Sequence, residues 1–156
     1  MAEKSLFWPS VNGDRKVGSD DTSEVISGFF TNGVNNGDLA ISAGTGMSVK
    51  VPIGRAYVGP AWKIHKYINT TEKILPIANA DGVLHRKDSI VLRYDVNTRD
   101  VTAQVLTGAF ASNPVAPAIV RNAEQYDLKL AEVYIAAGTT AITQAMITDT
   151  RLDKSV

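Results

Sequence analysis

Cysteine is absent from the 156 residues, which excludes disulfides and thiolate metal sites, and a chain this long can fold around an ordinary apolar core without such staples. Net charge is absent too. Sixteen lysines and arginines balance 16 aspartates and glutamates, so no global field draws the chain to nucleic acid or to an anionic membrane. No apolar run approaches the roughly 20 residues that cross a bilayer, and the first ten residues hold no signal-peptide core. The expectation is a soluble chain, not secreted by the ordinary route, with no membrane insertion and with partners recognised locally. Histidine occurs twice, at His65 and His85, with no partner imidazole at metal-ligand spacing. Gly44-Thr45-Gly46 lacks the lysine and following helix of a phosphate loop and reads as a tight hairpin turn, and no Gly-x-Ser-x-Gly elbow exists. These absences predict a chain that is not an enzyme, with no catalytic residues, no cofactor and no metal.

The clearest folding signal is residues 80–107. In 89–94, Ile90, Leu92 and Tyr94 alternate with Ser89, Val91 and Arg93. In 101–107, Val101, Ala103 and Val105 alternate with Thr102, Gln104 and Leu106. The polar stretch 95–100 between them makes a hairpin, with Asn97 expected to take the left-handed backbone at its tip. Leu92 is predicted to be buried.

Around this hairpin the chain reads as an N-terminal arm, 1–17, and a single β-rich domain, 18–156. The arm places Leu6, Phe7 and Trp8 before Pro9 and shows neither helical nor strand periodicity. A short helix follows. Asp21 and Glu24 have capping-box spacing, Val25, Ile26, Phe29 and Phe30 form its apolar face, and Asn32-Gly33 ends it. Five short strands are expected in 39–43, 47–51, 55–58, 62–69 and 72–77, separated by turn residues as in an antiparallel β-sandwich or barrel. In the fourth, Trp62, Ile64, Lys66 and Ile68 share one face and Lys63, His65, Tyr67 and Asn69 the other. The prolines of 109–122 make that stretch a crossing connection. In 126–135 the apolar phase slips once, which predicts a bulge near Ala131-Glu132. Thr143 is placed to cap a single turn. The fold class is thus mainly β, an antiparallel β-sandwich-like domain with one short N-terminal helix.

The remaining candidates have ordinary readings. Asp81, Asp88, Asp95, Asp100, Asp127 and Asp149 are assigned to strand ends and turns, and Asn12, Asp14, Asp20 and Asp21 lack the spacing of a calcium loop. His85 is assigned to a solvated turn. Trp62 and Tyr67 are the two aromatics that an exposed sheet face would offer to a sugar ring, with Trp62 expected in the core if it offers none.

Several motifs then occur in order. They are Phe7-Trp8-Pro9-Ser10-Val11-Asn12-Gly13-Asp14-Arg15; Ala80-Asp81-Gly82-Val83, running through His85-Arg86-Lys87-Asp88 to Ile90-Val91-Leu92-Arg93-Tyr94-Asp95; Ala111-Ser112-Asn113-Pro114-Val115-Ala116-Pro117; Leu130-Ala131-Glu132-Val133-Tyr134-Ile135; and Ile147-Thr148-Asp149-Thr150-Arg151. The ordered set resembles the N-terminal domain of tail-tip and baseplate proteins, the receptor-binding or fibre-attachment proteins of phages and prophages of Gram-positive bacteria. The resemblance implies a structural virion component of a phage tail baseplate or tail tip, made in the host cytoplasm. It would link the baseplate to the host-adhesion apparatus, with other phage baseplate or tail proteins as partners. It also implies a homo-oligomer, most simply a trimer. On that reading the arm supplies the assembly contacts, with Leu6, Phe7, Trp8, Asn12, Asp14 and Arg15 as candidates. The alternative is a saccharide-binding module that contacts host cell-wall polymer through Trp62 and Tyr67.

Overall fold

The computed structural model describes residues 5–152. The ends of the expected arm (1–4) and of the expected domain (153–156) lie outside the described residues. The order is α1 (Ser19–Phe29), β1 (Gly33–Val34), β2 (Ser42–Ala43), β3 (Ser48–Val51), β4 (Gly54–Val58), β5 (His65–Asn69), β6 (Lys73–Pro76), β7 (Arg86–Asp95), β8 (Asp100–Leu106), β9 (Gln125–Ile135), a 3₁₀ turn (Gln144–Met146) and β10 (Ile147–Asp149). Three antiparallel sheets result, with strand orders β1-β4-β5, β2-β3-β6 and β10-β9-β7-β8. Val51, Val58, Leu75, Leu92 and Leu130, drawn from all three, belong to one buried cluster. The chain is therefore a mainly β domain with one short helix.

Strand β7 organises the largest sheet. It pairs with β8 through Leu92 opposite Ala103 and with β9 through Leu92 opposite Leu128. Ile90, Leu92 and Tyr94 face the common core as the alternation predicts, and Val91 on the other face is fully buried as well. In β9 the register steps from Ala131 opposite Ile90 to Lys129 opposite Val91, leaving Leu130 as the extra residue. This bulge, one residue before the expected place, lets Leu128, Leu130, Ala131, Val133 and Ile135 all reach the core.

Burial on both faces changes the role of two aspartates that turn chemistry had claimed. Asp88 and Asp127 lie within strands and are fully buried, each in a two-pronged ion pair. Arg86 reaches Asp88 through Nε–Oδ1 at 2.8 Å and Nη2–Oδ2 at 3.1 Å. Arg93 reaches Asp127 across the β7–β9 ladder at 2.7 and 2.8 Å. Arg86 also donates to the carbonyls of Ala78 (2.7 Å) and Asn79 (3.1 Å), while Asp88 accepts the Gly108 N–H at 2.9 Å. Each charge is paired, and its spare donors or acceptors hold neighbouring loops, which a buried charge requires. Asp81, Asp95 and Asp149 are turn aspartates as expected, each accepting a backbone N–H two residues on.

Other local expectations shift. The helix begins with Gly18 as N-cap, and Asp21 is its third residue, its Oδ2 accepting the Gly18 N–H at 2.7 Å. The capping carboxylate is the expected one, but it reaches backward instead of forward. The helix stops at Phe29, and Asn32 instead clamps Gly59 with its side-chain amide, donating to the carbonyl at 2.9 Å and accepting the N–H at 2.8 Å. A side chain at Gly59 would sit 2.1 Å from the Lys63 carbonyl, so the β4–β5 turn requires glycine there. At the β7–β8 tip the left-handed residue is Arg99 (φ 55°), not Asn97, whose N–H is taken by Asp95 at 2.8 Å. His85 is not a solvated turn residue. It bridges to Ala111, its ring lies tilted against Tyr134 at 5.7 Å, and its Nδ1 accepts the Ala137 N–H at 3.0 Å. Thr143 does precede a single 3₁₀ turn, but its side chain makes no capping bond.

Truncating Asp88 would strand the buried Arg86 guanidinium and the Gly108 N–H. Asp88→Ala is expected to cost about 3–5 kcal/mol in urea unfolding. A loss under about 1 kcal/mol would mean that water or another acceptor replaces the carboxylate.

Candidate functional site

The arm from Ser5 to Gly18 has no helix or strand, and its order is local. Trp8 Nε1 donates to Ser5 Oγ at 3.0 Å. Asn12 and Gly13 take consecutive left-handed conformations (φ 55° and 77°), and Asp14 closes that turn by accepting the Val11 N–H at 2.7 Å. The Arg15 N–H reaches Ser10 Oγ at 3.4 Å. Of the six assembly candidates, Asn12, Asp14 and Arg15 therefore shape a turn, and Leu6 is half-buried. Phe7 and Trp8 are 64% and 62% exposed. The helix continues the same character. Only Ser23 is buried, Phe29 is 79% exposed, and the expected apolar face lies half in solvent. Contacts at both ends join α1 to the rest of the domain, among them the Asp20–Lys63 ion pair at 3.0 Å and, just past its last residue, the Phe30 ring stacked on Tyr57 at 4.4 Å.

The second set of candidates separates. Trp62 sits in the β4–β5 turn with φ 72°, a conformation that disfavours a bulky residue, and is 77% exposed, so it is neither a strand residue nor part of the core. The phase of β5 is opposite to the one that buries Trp62. His65, Tyr67 and Asn69 point inward and Lys66 and Ile68 outward, because Asn69 must donate to the Val51 and Pro52 carbonyls at 3.2 and 2.8 Å.

Tyr67 lines a cleft of about 800 Å³ between the start of α1, strand β5 and the β7–β8 tip. Asp20, His65, Tyr94, Arg99 and Asp100 line it too, whereas Trp62 does not. The His65 ring stacks on Tyr94 at 5.1 Å. Burial pushes the Tyr67 hydroxyl pKa up, with the Asp100 carboxylate adding to it. Burial also pulls His65 below the usual histidine range, with Lys63 adding to it against the opposing charge of Asp20. The hydrogen bond and charge of Asp20 raise Lys63. A half-buried phenol flanked by carboxylates and cations can stack on a ring and hydrogen-bond its rim. Period-two alternation already placed His65 beside Tyr67. The long-range partners Tyr94, Arg99 and Asp100 come together only through the β7–β8 hairpin.

No set of three or more histidine, aspartate or glutamate side chains that could hold a metal ion occurs among the described residues. No helix there is long and apolar enough to cross a membrane. Compared with protein-family models, with curated proteins and with solved structures, the chain matches none.

His65 gives this cleft a pH signature. Its folded pKa is depressed, so between the folded value and the unfolded value of about 6.5 the unfolded chain binds the extra proton. Stability from this group is present above that unfolded value and is lost as pH falls toward the folded pKa. The urea midpoint is expected to drop from pH 7.5 to pH 5.5, and to drop less in His65→Gln. An equal drop in both proteins would assign the effect to other groups.

Proposed function

We propose that the chain is a non-enzymatic attachment module of a phage tail, a virion structural protein that joins the baseplate or tail tip to the host-adhesion apparatus. The observation that carries this reading is the N-terminal segment, where Phe7, Trp8 and Phe29 stand in solvent ahead of a well-packed β body. Uncovered aromatic surface costs about 25 cal/mol per Å², so the exposed rings of this segment favour a protein partner. The ordered motifs that resemble tail-tip and baseplate proteins supply the kind of partner: another baseplate protein or further copies of this chain. Three-fold symmetry rests on that resemblance, and closed symmetry is the usual outcome when identical chains associate.

Light scattering on the full chain and on a version beginning at Val17 tests the self-assembly part. The full chain is expected to form oligomers, with a trimer as the leading species, and the shortened one to be monomeric. Monomers in both, across micromolar concentrations, would reduce the arm to a strap or to a contact for a different baseplate protein.

A second reading is favoured by the cleft around Tyr67, whose ring and charged rim suit a cell-wall saccharide. Glycan-array binding that disappears in folded Tyr67→Ala and persists in Trp62→Ala would support it, since Trp62 lies outside the cleft lining. An array with no wild-type signal would exclude it.

A further inference from the structure

A second cleft, of about 650 Å³, opens at the other end of α1, where Phe29 and Phe30, Tyr57 of β4, Tyr126 of β9 and the side chains of Arg121 and Arg151 converge. Its chemistry is one-sided. The chain as a whole balances its charges, yet among the described residues no aspartate or glutamate lines this cleft and two arginines do. The two are not equivalent. Arg151 is committed: Nε and Nη2 hold the Asp149 carboxylate at 2.9 and 2.6 Å, and Nη1 donates to the carbonyls of Gly37 and Asp38. Arg121 makes no ion pair among the described residues. Its guanidinium lies over the Tyr126 ring, 5.4 Å from the centroid, and its one hydrogen bond runs from Nε to the Asp127 carbonyl at 3.5 Å. Among the described residues, both Nη groups, with four N–H donors, have no hydrogen-bond partner.

Arg121 is exposed, but the backbone on either side of it is held in place. Val120 donates its N–H to Asp127 Oδ2 at 2.9 Å and accepts the Asp127 N–H at 2.8 Å, and Asn122 Oδ1 accepts the N–H groups of Glu124 and Gln125 at 2.9 and 2.7 Å. The turn that carries Arg121 is thus bonded on both sides, and its side chain rests on an aromatic ring. The Phe30–Tyr57 pair in the same lining is stacked nearly parallel, with 5° between the planes, and supplies its apolar wall. A guanidinium fork matches the paired oxygens of a carboxylate or phosphate, and a volume of this size admits one ring beside such a group.

We propose that this cleft binds an organic anion, a carboxylate or phosphate joined to an apolar ring, with Arg121 holding the anionic group and the Phe30–Tyr57 wall holding the ring. The site is independent of the Tyr67 cleft and of self-assembly through the arm.

Calorimetric titration of the full chain with phenyl phosphate, phenylacetate, inorganic phosphate and benzyl alcohol tests it. At least one of the two ring-bearing anions is expected to bind saturably, about tenfold or more tighter than either benzyl alcohol or inorganic phosphate, and to weaken as salt is raised. Which anion binds better distinguishes a phosphate source from a carboxylate source. Arg121→Gln should abolish that preference with its circular dichroism unchanged. Should Arg121→Gln fail to fold, Arg121→Lys, which keeps the charge and loses the fork, is expected to bind more weakly than wild type. Binding of benzyl alcohol as tight as that of the anions, inorganic phosphate as tight as phenyl phosphate, unchanged binding in the arginine variant that folds, or no saturable binding up to about 10 mM would each overturn the proposal.

Discussion

Strand β7 is covered on both faces, so the charges beside its core must find partners inside the protein, while the buried Ser89 hydroxyl has no hydrogen-bond partner among the described residues. Arg86 with Asp88 and Arg93 with Asp127 are the solutions, and both do more than neutralise charge. The first pair gathers the carbonyls before β7 and the Gly108 amide after β8. The second fixes Val120, and through it the end of the long connection that returns the chain to β9. A buried ion pair of this kind adds little net stability over an apolar substitute, but losing one partner is expensive, so the four residues act as a unit that locks loops to the central ladder. The hydrogen bonds to Asp127 raise the Arg93 pKa, in keeping with that coupling.

Helix α1 bears a different relation to this body. Its first residues, Ser19 and Asp20, line the Tyr67 cleft and its last, Phe29, lines the Arg121 cleft, so one loosely packed element borders both. The ladder links them as well, since Tyr94 of the first cleft and Tyr126 of the second are paired residues in β7 and β9. With Ser23 its one buried residue, α1 packs more lightly on the sheets than the strands pack on one another. That property suits an element that docks on a partner.

Much of the body was legible in the sequence because it depends on period two. The β7–β8 hairpin, the burial of Leu92, the glycine turn after β2 and the phase slip in β9 all follow from alternation and turn residues. Alternation cannot say whether the second face of a strand is wet, and so Asp88 and Asp127 were assigned to turns although Arg86 and Arg93 stood at pairing distance in the fold. The same ambiguity misplaced Trp62. Four inward positions from Trp62 to Ile68 looked more apolar than His65, Tyr67 and Asn69, yet the backbone carbonyls of Val51 and Pro52 needed the Asn69 amide inside. The two-residue β1 and the three-residue β10 are too short to carry a pattern, and long-range pairing alone defines them. Both clefts are assembled from residues more than 30 positions apart, which no local spacing reveals.

The central claim is that a β body locked through β7 carries a more lightly packed N-terminal segment, the one proposed above to dock on a partner. Native-state hydrogen exchange measures this directly. The amides of Val91 and Leu92 should exchange only through global unfolding, while those of Ser23 to Ile26 in α1 should exchange through local opening, with protection lower by on the order of a hundredfold or more. Protection of α1 equal to that of β7 would contradict the account, because the helix would then be an integral part of the core.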